Sequence, residues 1–248
     1  MKTTERFSTR VKNYVKYRPS YPPEVLRLFR DEMNLTRQSI IADIGSGTGI
    51  SSNIFLENGN FVYGIEPNDA MREASDKFLQ HFPNFQSINA TAENTTLTEN
   101  SVDFIVAAQA FHWFDSAKCL PEFRRIIRNQ GFIALIWNKR ELDSTPFLQG
   151  YEQLLLEFGT DYTEIRHENI NHEKLSDFFQ TDYRTATFEN VQIFDFEGLK
   201  GRLLSSSYTP NDEHPHFAKM LGNLKTLFAE HQKNDTIEFL YKTKVFYN

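Results

Sequence analysis

The chain has 248 residues, with 27 Lys+Arg against 33 Asp+Glu and a formal charge of −6 at pH 7. That length suits one α/β domain with insertions or at most two small domains, and 40% hydrophobic with 24% charged residues excludes global disorder. The acidic balance, with no Lys/Arg run, excludes a nucleic-acid binder, and the lone Cys119 excludes an intrachain disulfide and a cysteine zinc site.

Residues 1–33 read as helical and unusually aromatic, with Phe7, Tyr14, Tyr17 and Tyr21. The opening MKTTERFSTR lacks the apolar stretch of a signal peptide. The longest apolar runs, FIVAAQAF and FIALIW, fall far short of the ~20 residues that span a bilayer. The expectation is a cytoplasmic protein without a membrane partner, a monomer or homodimer. From residue 40 short apolar runs alternate with amphipathic stretches, the pattern of βαβ units and a parallel sheet. Strands are predicted at Ile40–Ile44, Phe61–Ile65, Phe85–Asn89, Phe104–Ala108 and Phe132–Trp137, with helices at Ile50–Asn58, Asp69–His81 and Ala117–Arg128. Asn58-Gly59-Asn60 and Asn129-Gln130-Gly131 supply the stops.

Beyond Trp137 the rhythm changes. Helical patterns cover about 146–158 and 171–180, strand character returns at Ala186–Phe196 and Ile237–Phe246, and an amphipathic segment, Phe217–His231, lies between these. The economical picture is an α/β fold: a doubly wound sheet built from 34–137 and 184–248, with a helical cap from 1–33 and 138–183.

The strongest chemical signal is Ile41-Ala-Asp-Ile-Gly-Ser-Gly-Thr-Gly49, a strand running into a glycine-rich turn and then a helix. Glycines at 45, 47 and 49 let the backbone turn sharply and approach a ligand, with N–H groups of the helix start facing a polar group. A tight turn with no ligand is the bland alternative. Asp43 beside the first glycine is poor company for a pyrophosphate, and Ile50 breaks the dinucleotide spacing. No phosphate-binding Gly-Lys-Ser/Thr loop is present. Glu66, ending the next strand, is placed to accept both hydroxyls of a ribose. Together these residues describe a site for an adenosine with a cationic or zwitterionic tail, not for a nicotinamide.

These motifs resemble the class I S-adenosylmethionine-dependent methyltransferases, most closely the small-molecule branch similar to trans-aconitate methyltransferase-like proteins. The residues carrying the resemblance are Asp43–Gly49, Gly64-Ile-Glu-Pro67 with Met71, Ala92-Glu93, Ser101-Val-Asp-Phe104 and Gln109-Ala-Phe-His-Trp-Phe114, with Tyr14…Tyr17-Arg-Pro-Ser-Tyr-Pro22 and Ser205-Ser-Ser-Tyr208. The resemblance implies a Rossmann-like seven-stranded sheet, mostly parallel with an antiparallel last strand. S-adenosyl-L-methionine would be the cofactor and S-adenosyl-L-homocysteine the product. Gly45, Ser46, Gly47 and Gly49 would wrap the methionine part, with Asp43 near its ammonium. Glu66 would hold the ribose, Pro67 and Met71 would pack on the adenine, and Ala92 and Glu93 would read its edge. Gln109 and Ala110 would complete the cofactor site.

The acceptor pocket would comprise Tyr14, Tyr17, Arg18, His112, Trp113 and Tyr208, with His112 as the general-base candidate. The implied activity is methyl transfer to a small-molecule acceptor, a carboxylate or hydroxyl oxygen among the candidates. The rivals are a non-catalytic cofactor-binding protein and a protein methyltransferase. Leu204 stands where the family pattern often has arginine, and Arg202 is out of register. His167 and His172 with Glu164, Glu168 and Glu173 invite a metal reading. Their spacing is not that of a helical zinc pair, and no metal is expected.

Overall fold

A computed structural model describes residues 11–163 and 172–248; Glu164, His167 and Glu168 lie outside them. Nine helices and seven strands follow in chain order among the described residues. They are α1 (Val11–Tyr17), α2 (Pro23–Met33), β1 (Ile40–Ile44), α3 (Ile50–Glu57), β2 (Phe61–Ile65), α4 (Asp69–Phe78), β3 (Phe85–Ile88) and β4 (Val102–Ala108). There follow α5 (Ser116–Ile126), β5 (Ile127–Arg140), α6 (Pro146–Phe158), α7 (His172–Phe179), β6 (Arg184–Phe194), α8 (Phe196–Leu204), α9 (Phe217–His231) and β7 (Ile237–Tyr247).

The strands form one sheet in the order β3-β2-β1-β4-β5-β7-β6. β1 pairs in parallel with β2 and β4, β2 with β3, and β4 with β5, while β7 runs antiparallel between β5 and β6. The order reverses between β1 and β4, and open α/β sheets bind ligands in the crevice at the carboxyl ends of such strands. The glycine turn after β1, Glu66 after β2 and Gln109 after β4 all open there.

The runs Ile40–Ile44 and Val102–Ala108, apolar except for Asp43 and Asp103, suit strands covered on both faces. On one face α2 and α3 pack through Phe29, whose ring lies 5.1 Å from Phe55 and 5.6 Å from Phe104. On the other, α5 and α7 pack through Phe123 and Phe178, with Phe178 4.5 Å from Phe111. A third cluster joins α6, α8 and α9 to Phe194, Phe239 and Tyr241 of β6 and β7. The segments expected to form a cap are therefore distributed differently: α2 and α7 cover the sheet, and residues 138–140 belong to β5.

Two further departures matter for the site. β5 runs to Arg140 instead of stopping at Trp137, because pairing with β7 continues to Arg140↔Tyr241. The predicted strand Ala186–Phe196 ends at Phe194, where Asp195 caps α8 by accepting the Gly198 N–H at 2.7 Å.

Helix α1 reaches α8 where Tyr17 lies over Gly201, and a Cβ on Gly201 would sit 2.1 Å from Tyr17 Cε2. Gly201→Ala is expected to cost about 1–3 kcal/mol by overpacking, lowering Tm by about 2–10 °C in a chain of this size. A thermal melt checks this, and adding Tyr17→Ala should recover most of the loss.

Candidate active site

The site begins at the turn after β1. Gly45, Gly47 and Gly49 have φ of +68°, +56° and +85°, in the left-handed region that favours glycine. A Cβ on Gly45 would meet Ala110 Cβ at 2.6 Å, so glycine lets the β1 and β4 turns touch. A Cβ on Gly47 would meet nothing nearer than 4.0 Å, since that position faces open space. The Gly47 N–H donates to Glu66 Oε2 at 3.0 Å, and the Asn68 N–H donates to Glu66 Oε1 at 2.9 Å. Glu66 thus ties the glycine turn to the start of α4, whose N-cap is Asn68. Burial raises the Glu66 carboxyl above the usual range, opposed by these two N–H groups.

These turns border a cavity of about 320 Å³. Among the expected cofactor residues, Gly45, Ser46, Gly47, Glu66, Pro67, Met71, Ala92, Glu93, Gln109 and Ala110 line it. Asp43 and Gly49 do not. Asp43 lies beneath the floor, accepting from Ser51 Oγ and Ser52 Oγ at 2.6 Å each, and Gly49 starts α3 against Leu79. Besides Glu66, two side chains are already engaged. Glu93 accepts the Asp115 N–H at 3.0 Å, and Gln109, at φ +57°, donates to the Asn138 carbonyl at 3.1 Å.

Burial pushes Asp43 up to about 6 despite its two serine bonds. The unfolded value is near ~3.9, so the folded state holds the proton more tightly. The resulting stabilisation is complete at low pH and is lost as pH rises through about 6. Asp43→Asn removes this dependence. Relative to the variant, wild type should lose up to about 3 kcal/mol of unfolding free energy between about pH 4 and 7. Urea titrations of both proteins across that range measure it.

The acceptor end is built from α1, the 3-10 turn Phe111–Trp113, the end of β5, and α8 with its following loop. Of the residues expected in the acceptor pocket, Tyr14, Arg18, His112, Trp113 and Tyr208 line the cavity, whereas Tyr17 does not. Tyr14 on α1 and Arg18 just past its end are four apart, the Arg18 N–H donating to the Tyr14 carbonyl at 3.1 Å, while Tyr17 is turned onto α8. Asn138 draws the segment after α1 inward, donating to the Ser20 carbonyl at 3.1 Å.

Sequence reasoning missed Arg140, Tyr162, Arg202 and Tyr241, which also line the cavity. Arg202 lies on α8 and is 5% exposed. Its Nε donates to the Tyr241 hydroxyl at 2.9 Å and its Nη1 to Ser206 Oγ at 3.2 Å. Arg18 Nη2 donates to the Ser205 carbonyl at 3.1 Å and Ser206 Oγ at 3.4 Å. Burial lowers Arg18, and Arg202 nearby lowers it further. Burial raises Tyr208, but Arg202 and Arg18 outweigh it and hold the phenol below its usual range. Arg140 pairs with Glu152 instead.

A methyltransferase-domain family model matches residues 42–135. A methyltransferase-like protein of Schizosaccharomyces pombe is 30% identical over 248 residues, covering 97% of this chain and 93% of its own. An uncharacterized methyltransferase of the same yeast is 27% identical, covering 94% and 92%. The chain belongs to the class I S-adenosylmethionine-dependent methyltransferases. A solved structure from Anaeromyxobacter dehalogenans, described as a type II methyltransferase, shares the fold at TM-score 0.68 and 19% identity, covering 94% of this chain and 97% of its own. A phosphoethanolamine N-methyltransferase from Haemonchus contortus, solved with S-adenosylhomocysteine, aligns at TM-score 0.57 and 13% identity, covering 98% of this chain and 57% of its own.

S-adenosylmethionine is the cofactor of this family, and the residues present fit it. Ser46 Oγ and Thr48 Oγ1, on residues that line the cavity, are buried without a hydrogen-bond partner. Such groups call for a polar ligand. No group of three or more His, Cys, Asp or Glu among the described residues could hold a metal ion, and no helix there is long and apolar enough to cross a membrane.

Proposed function

We propose that the chain methylates a small anionic molecule at an oxygen. The reading is carried by the continuity of one cavity from Gly45–Gly47 and Glu66 to the Arg18–Arg202–Tyr208 chamber. A cavity of about 320 Å³ suits a small ligand, within the range of small-molecule sites. The chamber presents guanidinium and phenol groups within a chain of net charge −6, an arrangement that concentrates anions locally.

S-adenosylmethionine, held by the Gly45–Gly47 turn and Glu66, would supply an electrophilic sulfonium methyl for an acceptor oxygen, leaving S-adenosylhomocysteine. Arg18 and Arg202 hold the acceptor, and positioning of this kind can provide most of the rate. Trp113 and Tyr14 offer aromatic faces to positive charge. A carboxylate acceptor needs no base; for a hydroxyl, His112 is the cavity-lining group to take the proton.

A thermal-shift titration tests the cofactor half. S-adenosylhomocysteine at about 100 times its Kd should stabilise by about 2.7 kcal/mol, a rise of about 5–10 °C, with NAD as the inert control. Transfer of labelled methyl to pooled small acids tests the acceptor half. A shift without any transfer would favour a binding protein, and labelling confined to added protein would favour a protein methyltransferase.

A further inference from the structure

We infer that Glu152 sets the charge of the acceptor, matching the chamber to a dianion. The inference rests on the methyl-transfer reading and deepens it. The partners of Arg18 are a carbonyl, a hydroxyl and the Tyr14 ring 4.8 Å away. Those of Arg202 are two hydroxyls and the rings of Phe239 and Tyr241. None is anionic, yet both guanidiniums converge on Ser206 Oγ. Burying a cation without a counter-ion is costly, and two adjacent ones repel each other. An anion placed between them relieves both.

Arg140 differs. Its Nη2 donates to Glu152 Oε2 and, at 2.8 Å, to the Tyr162 hydroxyl, which itself donates to Glu152 Oε2 at 2.6 Å. Glu152 is 7% exposed on α6, so this closed triangle withdraws one cation from the ligand. The carboxylates that line the cavity, Glu66 and Glu93, are tied to backbone N–H groups at the cofactor end. Lys139 also borders the cavity but is exposed, where water screens it. Two guanidinium charges, those of Arg18 and Arg202, are left for the acceptor beside the Tyr208 phenol, the titratable group that both face, and Glu152 keeps Arg140 from adding a third.

Two carboxylates or one phosphate monoester supply two negative charges, and the test separates them. The full chain saturated with S-adenosylhomocysteine is titrated calorimetrically with acetate, succinate, phenyl phosphate and tricarballylate. At about pH 8 these carry about one, two, two and three charges. One or both dianions should bind at least about tenfold more tightly than acetate or tricarballylate, and the tighter names the anionic group. In Glu152→Gln, tricarballylate should gain at least about tenfold relative to the dianions, and Glu152→Asp should restore the wild-type order. S-adenosylhomocysteine affinity should stay constant throughout.

Wild-type affinities indifferent to charge, or an order unchanged in Glu152→Gln, would overturn the inference. Should Glu152→Gln not fold, Tyr162→Phe loosens the same triangle and must shift the order in the same direction. Loss of S-adenosylhomocysteine binding to wild type would instead defeat the methyl-transfer reading itself.

Discussion

Glu66→Ala is expected to weaken S-adenosylhomocysteine binding by at least about tenfold, equivalent to about 1.4 kcal/mol, in a calorimetric titration. Two losses combine. The carboxylate borders the cavity and is the ribose acceptor implied by the sequence. It also accepts the N–H groups of Gly47 and Asn68, which the variant leaves without that partner. An unmet buried donor costs about 1–3 kcal/mol, so the turn itself should loosen. Glu66→Gln separates the terms: its amide oxygen can accept one of the two N–H groups but its NH2 cannot accept the other. An intermediate affinity is expected. Unchanged affinity in Glu66→Ala would remove Glu66 from the site.

Arg202→Gln should lower kcat/KM for the acceptor by at least about a hundredfold, about 2.7 kcal/mol, because truncating one member of a buried charge pair costs about 2–5 kcal/mol. Binding of S-adenosylhomocysteine should change little, since Arg202 lies in the acceptor chamber. The Tm of the unliganded variant should fall only modestly, because Arg202 also donates to Tyr241 and Ser206 and lies over the rings of Phe239 and Tyr241. An arginine kept only for structure would lower Tm with turnover preserved. Arg202→Lys retains the charge without the planar fork and should recover only part of the activity.

The cofactor half of the site was legible because it is local. Strand, glycine turn and helix follow within residues 40–57, and Glu66 and Gln109 end strands whose apolar runs mark them plainly. The acceptor half depends on distant pairing. Nothing near Trp137 shows that β5 continues to Arg140; the continuation is set by β7, a partner far along the chain. Arg202 is out of register with the family pattern, which often has arginine at the position of Leu204, yet on α8 it turns toward the chamber. Asp195 with Glu197 in the first turn is a readable helix start. Tyr17 and Asp43 fall outside the cavity for another reason: residue type and proximity in sequence do not say which face of α1 or which layer below β1 a side chain occupies.

The acceptor chamber is held by bonds between parts of the chain that meet late. The Arg18–Ser205 bond spans 187 residues and the Asn138–Ser20 bond spans 118, whereas β1, β2 and β4 come from one continuous stretch. Closing long loops costs more entropy and slows assembly. During refolding the nucleoside-binding crevice should thus mature before the arginine chamber. A nascent or partly opened molecule could hold its methyl donor while still unable to recognise what it methylates.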